Sequence, residues 1–107
     1  MKIIPLEAIP NQKFNIVLEN QNCTIKVYQR GDYLFADLWV DNVLVREGMI
    51  CLVDTSLLSY PVNGFAGVLY WVDMVGMGGT PNYAQLGSRY LLCYATQTEL
   101  QEAAADV

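Results

Sequence analysis

Residues 13–42 read KFNIVLENQNCTIKVYQRGDYLFADLWVDN, and apolar and polar side chains alternate through most of this stretch. Alternation with a period of two predicts β-strands that bury one face. The apolar face of three successive strands is then made by Phe14, Ile16 and Leu18, by Cys23, Ile25 and Val27, and by Leu34, Ala36, Leu38 and Val40. The short polar links NQN, RGD and DN are typical of hairpin turns, so the sequence predicts a meander.

More strands follow this meander. VLVREGMICLVD returns as a fourth strand, in which Gly48 indicates a bulge or a break, and GVLYWVDM and RYLLCYAT supply two further strands. Six to eight short strands with almost no helix predict an all-β fold, a small antiparallel barrel or sandwich. Residues 1–96 are predicted to form this single β domain, and residues 97–107 a polar, acidic C-terminal tail or short helix.

Residues 55–88 are rich in glycine and proline. Within them, VGMGGTPNYAQLGS is predicted to be a long loop, and Tyr83 and Leu86 indicate that it docks onto the domain. GMGGTP resembles a phosphate-binding loop only loosely, because the GK[ST] ending is missing, so a flexible turn is favoured. The glycines are expected to let backbone segments approach one another closely.

Composition limits the classes of function. The net charge is -5, histidine is absent, and the six lysines and arginines are scattered along the sequence, which argues against nucleic-acid binding. Three cysteines without CxxC spacing argue against a structural zinc site and fit a reducing compartment. No apolar run approaches the roughly 20 residues of a membrane span, so a soluble protein is expected.

Catalytic motifs are not found. Histidine, the commonest general base, is absent, and no serine lies in a GxSxG elbow. We therefore predict no catalytic residue, no metal site and no cofactor. A small hydrolase that uses Asp37 or Asp73 stays the enzymatic alternative.

The aromatic residues suggest a surface. Only 16% of residues are charged, which is low for a soluble domain and indicates surface covered by other proteins. Six aromatic residues lie on strands that could form one continuous sheet, and alternation cannot place all of them inside one small core. They are Tyr28, Tyr33, Phe35, Trp39, Tyr70 and Trp71. We favour protein–protein contact. A ligand- or carbohydrate-binding β-barrel module, with Trp39 or Trp71 lining its pocket, is the alternative.

The predicted contact residues lie mostly in residues 60–89, where the backbone leaves regular pairing but keeps apolar side chains. Arg89 could present its planar fork to a carboxylate and fix either the last strand or a neighbouring protein. The alternative is that the loop closes over the domain as a lid, with Tyr83 and Leu86 in its own core. The full set of predicted interface residues is Trp39, Phe65, Trp71, Met77, Tyr83 and Arg89.

Three segments carry a resemblance to a known family: IPLEAIPNQ at 4–12, YPVNGFAGVLYWVD at 60–73 and PNYAQLGSRYLLCY at 81–94. With them, the chain up to about residue 96 resembles the baseplate plug proteins of contractile-tailed phages, described for cyanophages. The resemblance implies a structural, non-enzymatic component at the centre of the tail baseplate, where the tail tube meets the spike.

The resemblance also implies the partners and the location. Hub, spike and tail-tube proteins are the expected partners, several copies are expected in a symmetric assembly, and the protein is expected in the virion after assembly in the host cytoplasm. The negative net charge suits a protein beside a DNA path, because it repels the phosphate backbone.

Overall fold

The computed structural model describes residues 2–53, 64–76, 79–96 and 98–99. These residues form two antiparallel sheets, of order β2-β3-β4-β5 and β1-β7-β6, so the all-β sandwich is confirmed and the sheets do not close into a barrel. No helix in these ranges is long and apolar enough to cross a membrane. The elements are β1 Lys2–Ile4, β2 Asn11–Leu18, β3 Gln21–Arg30, β4 Tyr33–Val40, β5 Val43–Ile50, β6 Val68–Asp73, a 3₁₀ helix Tyr83–Gln85 and β7 Tyr90–Ala95.

The four-stranded sheet is the predicted meander, and two-residue turns set its register. The turn predicted at DN is confirmed, because Asp41 and Asn42 have φ of 51° and 66°. The turn predicted at NQN is wrong: Glu19 and Asn20, with φ of 49° and 64°, form it instead, and β3 begins directly after them. Positive φ at both central residues matches the right-handed twist of the flanking strands, and it favours a two-residue loop over a three-residue one.

Side-chain alternation in the meander is confirmed. Most inward side chains of β3 and β4, among them Ile25, Val27, Leu34 and Leu38, are at most 1% exposed, and Val40 at the end of β4 is 9% exposed. They pack against inward side chains of the other sheet in one continuous core, which includes Ile4, Leu69, Trp71, Leu92 and Tyr94. Each fully buried side chain of this kind contributes about 1.5–3 kcal/mol, so the core between the sheets is the main source of stability.

The bulge predicted at Gly48 is confirmed. Ala36 pairs with Met49 but Leu38 pairs with Arg46, so β5 has one more residue than β4 across this interval. Gly48 has φ of 67°, a conformation that costs glycine little. Its N–H donates to Asp37 Oδ1 at 2.7 Å, so the bulge turns a backbone donor towards a β4 carboxylate.

The three-stranded sheet joins the two ends of the described chain. β7 is its central strand, with Ile4 and Trp71 flanking Leu92 on either side. The idea that all the aromatic strands form one continuous sheet is wrong, since Tyr70 and Trp71 belong to this second sheet. Of the predicted tail at 97–107, only residues 98–99 are described, so the domain boundary stays a prediction.

Candidate interaction surface

Arg89 forms a two-pronged ion pair with Asp73. Its Nε lies 2.9 Å from Oδ1 and its Nη2 lies 3.1 Å from Oδ2 of the carboxylate. The backbone N–H groups of Val75 and Gly79 donate to the same carboxylate, at 3.0 and 3.3 Å. The hydrogen bonds from Arg89 hold the pKa of Asp73 well below its usual range. The fork predicted for Arg89 is therefore made within the chain, where it ties the end of β6 to the start of β7.

The loop before β7 is anchored by apolar side chains and one polar contact. Pro81 and Leu86 are buried, and the Tyr83 N–H donates to Gln29 Oε1 at 3.2 Å. The Tyr83 side chain is 39% exposed. The loop therefore sends Leu86 into the core, as the lid alternative requires, and leaves the Tyr83 ring at the surface.

Two other predicted interface residues lie inside the chain's own core. Phe65 is buried and meets Tyr94 edge to face, with ring centroids 5.8 Å apart. Trp71 is also buried, only 2% exposed. Met77 lies outside the described residues. The contact role assigned to all these residues stays a prediction.

Trp39 and Tyr83 are not neighbours. Trp39 lies close to the turn at 41–42, whereas Tyr83 contacts Gln29, which lies close to the turn at 31–32 at the other end of the sheet. A contact surface that uses both must span the length of the four-stranded sheet.

The outer face of that sheet gathers cations and aromatic rings. We call it the cation–aromatic face and define it by Lys13, Lys26, Tyr28, Arg30, Phe35 and Trp39. The rings of Tyr28 and Phe35 stack across β3 and β4, with centroids 6.0 Å apart. Lys13 Nζ lies 4.9 Å from the centre of the Trp39 ring, and Lys26 Nζ lies 5.1 Å from that of Tyr28. The cations are scattered in the sequence, but the fold brings three of them together.

The register explains this grouping. Lys13 lies directly opposite Lys26, and Tyr28 lies directly opposite Phe35. All face outward because they alternate with the buried core residues. The alternation in the sequence showed that these residues face outward, but it did not show which of them lie side by side. That depends on the pairing register of the strands, which is set by the position of the first turn.

Asp37 is the carboxylate at the centre of this face. It is 8% exposed and accepts hydrogen bonds from the Tyr28 hydroxyl at 3.0 Å and from the Gly48 N–H at 2.7 Å. Burial and the bond to Asp37 raise the pKa of Tyr28. Asp37 lies on β4 and Asp73 on β6, in different sheets, and each carboxylate already accepts hydrogen bonds within the chain. The described residues hold no cluster of three or more potential metal ligands.

A shallow hollow of about 380 Å³ lies at the Trp39 end of the face. Its lining consists of Lys13, Asn15, Thr24, Trp39 and Asn42. The Thr24 hydroxyl donates to Asn15 Oδ1 at 2.8 Å, so part of the polar lining is already paired. Trp39 does line a hollow, as the ligand-binding alternative requires, but Lys13 lies over its ring.

Comparison with known proteins identifies the family. No curated protein matches the chain. A family model described as the cyanophage baseplate Pam3 plug gp18 matches residues 1–98 of the 107. The match spans all seven strands, the Arg89–Asp73 pair and the cation–aromatic face. The chain therefore belongs to the family of cyanophage baseplate plug proteins.

Proposed function

We propose that this protein is a structural plug at the centre of a phage tail baseplate, where the tail tube meets the spike. The observation that carries the proposal is the family match over residues 1–98. Hub, spike and tail-tube proteins are the proposed partners, and several copies act in a symmetric assembly. The protein works in the virion after assembly in the host cytoplasm.

The chemistry of the chain supports a structural role without catalysis. The two carboxylates considered for a hydrolase are both engaged, Asp37 by Tyr28 and Gly48 and Asp73 by Arg89. A general base must be able to accept a proton from a substrate, and a carboxylate held by several donors is poorly suited to this. We therefore propose that the protein contributes surface and rigidity to the baseplate.

The surface of the sandwich supports assembly with other proteins. On the outer face of the four-stranded sheet, large apolar side chains stand exposed on β2 and β5, among them Val17, Leu44 and Ile50. They border a face that holds aromatic side chains and Arg30, residue types that are enriched at protein interfaces. The face thus offers both apolar area and directional contacts to a baseplate neighbour.

A ligand- or carbohydrate-binding module is the second candidate, and the hollow beside Trp39 is the observation that favours it. Amide side chains can bond the hydroxyl groups of a sugar, while the neighbouring indole stacks on the sugar ring. Titration with a sugar panel while following tryptophan fluorescence tests it. A saturable change that disappears in Trp39→Phe supports this module, and no change excludes it for the sugars used.

The test of the plug proposal uses a phage whose copy of this gene is disrupted and supplied in trans with an epitope tag. We expect tagged protein in purified particles, located by electron cryomicroscopy on the baseplate axis. Without the trans copy, we expect few infectious particles. Wild-type particles that lack the protein, or that hold it only in the head, contradict the proposal.

A further inference from the structure

We infer that the cation–aromatic face docks on a carboxylate-bearing surface of another baseplate protein. The inference rests on the proposed function and deepens it by naming the chemistry of the partner. Three steps lead to it: the local charge, the register of the lysines, and the apolar margin of the face.

The local charge of the face is opposite to that of the chain. The net charge is -5, yet three of the six cations lie together here. Lys13 contacts the Trp39 ring, whereas Lys26 and Arg30 both contact Tyr28, at 5.1 and 5.4 Å. In the described part of the chain, none of the three cations has a carboxylate within ion-pair distance. Ring contacts of this kind hold a cation in place without cancelling its charge.

The pairing of β2 with β3 places two of these positive charges side by side. Lys13 and Lys26 are directly opposite on β2 and β3, and like charges at such positions destabilise a sheet. Lys26 also lies directly opposite Asp37 on β4, but outside ion-pair distance in the described part of the chain, so Asp37 offsets only part of this repulsion. A carboxylate from a partner, placed between the two lysines, would turn this repulsion into two attractive contacts.

The margin of the face is apolar. Leu44, 45% exposed, pairs with Trp39, and Ile50, 43% exposed, pairs with Phe35, so β5 extends the aromatic surface to the edge of the sheet. Val17 is exposed on the same face at the opposite edge. A protein partner can cover these aliphatic groups while its acidic residues meet the cations.

The distribution of acids favours a compact protein patch over a nucleic acid. Asp32 and Asp41 are exposed in the turns at the two ends of β4, and Glu47 is exposed on β5. An extended phosphate backbone would have to pass these carboxylates, and three cations release few counterions. A compact patch of carboxylates on a folded partner can meet Lys13, Lys26 and Arg30 while avoiding these acidic turns.

The test compares the triple variant Lys13→Gln/Lys26→Gln/Arg30→Gln with Lys2→Gln, which removes a cation from the other sheet. Both are supplied in trans to the phage that lacks the gene, and their amount in purified particles is measured by quantitative mass spectrometry. We expect roughly a tenfold loss for the triple variant, as for truncation of an interface hot spot, and an unchanged amount for Lys2→Gln.

Thermal unfolding separates assembly from folding. We expect the triple variant to unfold close to the wild-type temperature, because removing the repulsion between Lys13 and Lys26 offsets the loss of the cation–ring contacts. If it unfolds earlier, the single variant Lys13→Gln, at an exposed position, is used in the same particle assay, and we expect a several-fold loss.

Each other outcome overturns a different statement. Normal incorporation of a folded variant refutes the docking face and leaves the plug proposal intact, whereas absence of the wild-type protein from particles refutes both. Binding of the wild type to a short DNA duplex at physiological salt, lost in the triple variant, refutes the protein partner in favour of nucleic acid.

Discussion

Gly67 lies in the segment YPVNGFAGVLYWVD, and its replacement by alanine should be among the most damaging single-methyl changes in the chain. Gly67 has φ of 104°, where residues with a Cβ are strained. An added Cβ would lie 2.5 and 2.6 Å from the Cε1 and Cζ atoms of Tyr94. The Tyr94 hydroxyl has one proton and donates it to the Ala66 carbonyl at 2.6 Å, with Glu19 Oε2 3.2 Å away, so the ring cannot move without breaking this bond.

These contacts set the expected magnitude. The backbone strain costs about 1–3 kcal/mol, and losing the hydrogen bond to Ala66 costs about 1 kcal/mol. Gly67→Ala should therefore lower the free energy of unfolding by about 2–4 kcal/mol, and the melting temperature by roughly 8–16 °C at about 4 °C per kcal/mol. Urea unfolding and calorimetry measure both quantities.

Gly31→Ala is the matched control for Gly67→Ala. Gly31 also has a positive φ, of 59°, but an added Cβ meets nothing within 4 Å. Its replacement should cost only about 1–2 kcal/mol. In a Tyr94→Leu background, Gly67→Ala should cost little more than this, because the ring is gone. Equal losses for Gly67→Ala and Gly31→Ala in the wild-type background would refute the steric argument.

Three further changes probe other parts of the molecule. Since Arg89 holds the pKa of folded Asp73 below the ordinary 3.8, the free energy of unfolding should fall as the pH drops below this value. Asp73→Asn should weaken that dependence in urea midpoints between roughly pH 2 and 6; an unchanged slope contradicts the ion pair. Burial raises the pKa of Cys51 to about 12, so iodoacetamide should leave it unmodified in the native protein by mass spectrometry, and rapid native labelling contradicts its burial. Phe65→Ser should cost about 3–5 kcal/mol and Tyr83→Ser under about 0.5 kcal/mol in urea unfolding, and equal losses would place the Tyr83 ring in the core.

Most of the four-stranded sheet could be predicted from the alternation of apolar and polar side chains in the sequence. A strand buried on one face has a strict period of two, and the residues predicted to face inward are buried, except Phe14 and Ile16, which are partly buried against the core. The bulge at Gly48 and the turn at residues 41–42 were also predictable, because local backbone chemistry decides both. The first turn was misplaced by one residue, since several polar residues there can each occupy a turn.

The second sheet and the candidate surface depend on distant pairing. β1 has only three residues and pairs with β7 at the other end of the chain, so no local pattern reveals it. Trp71 resembles an exposed interface aromatic in sequence, yet it fills the space between the sheets. At Gly67 the close neighbour is the ring of Tyr94 rather than backbone, although Gly87 does lie close to the Leu6 carbonyl.

The pairing of Lys2 with Tyr94 has a consequence for synthesis of the protein. The meander of residues 11–50 needs only contacts between successive strands, so it can form while later residues are still being translated. The three-stranded sheet cannot form until β7 has left the ribosome. Until then the inner face of the meander stays open to water, so a fragment ended by a stop codon before Tyr90 should aggregate instead of accumulating as half a sandwich.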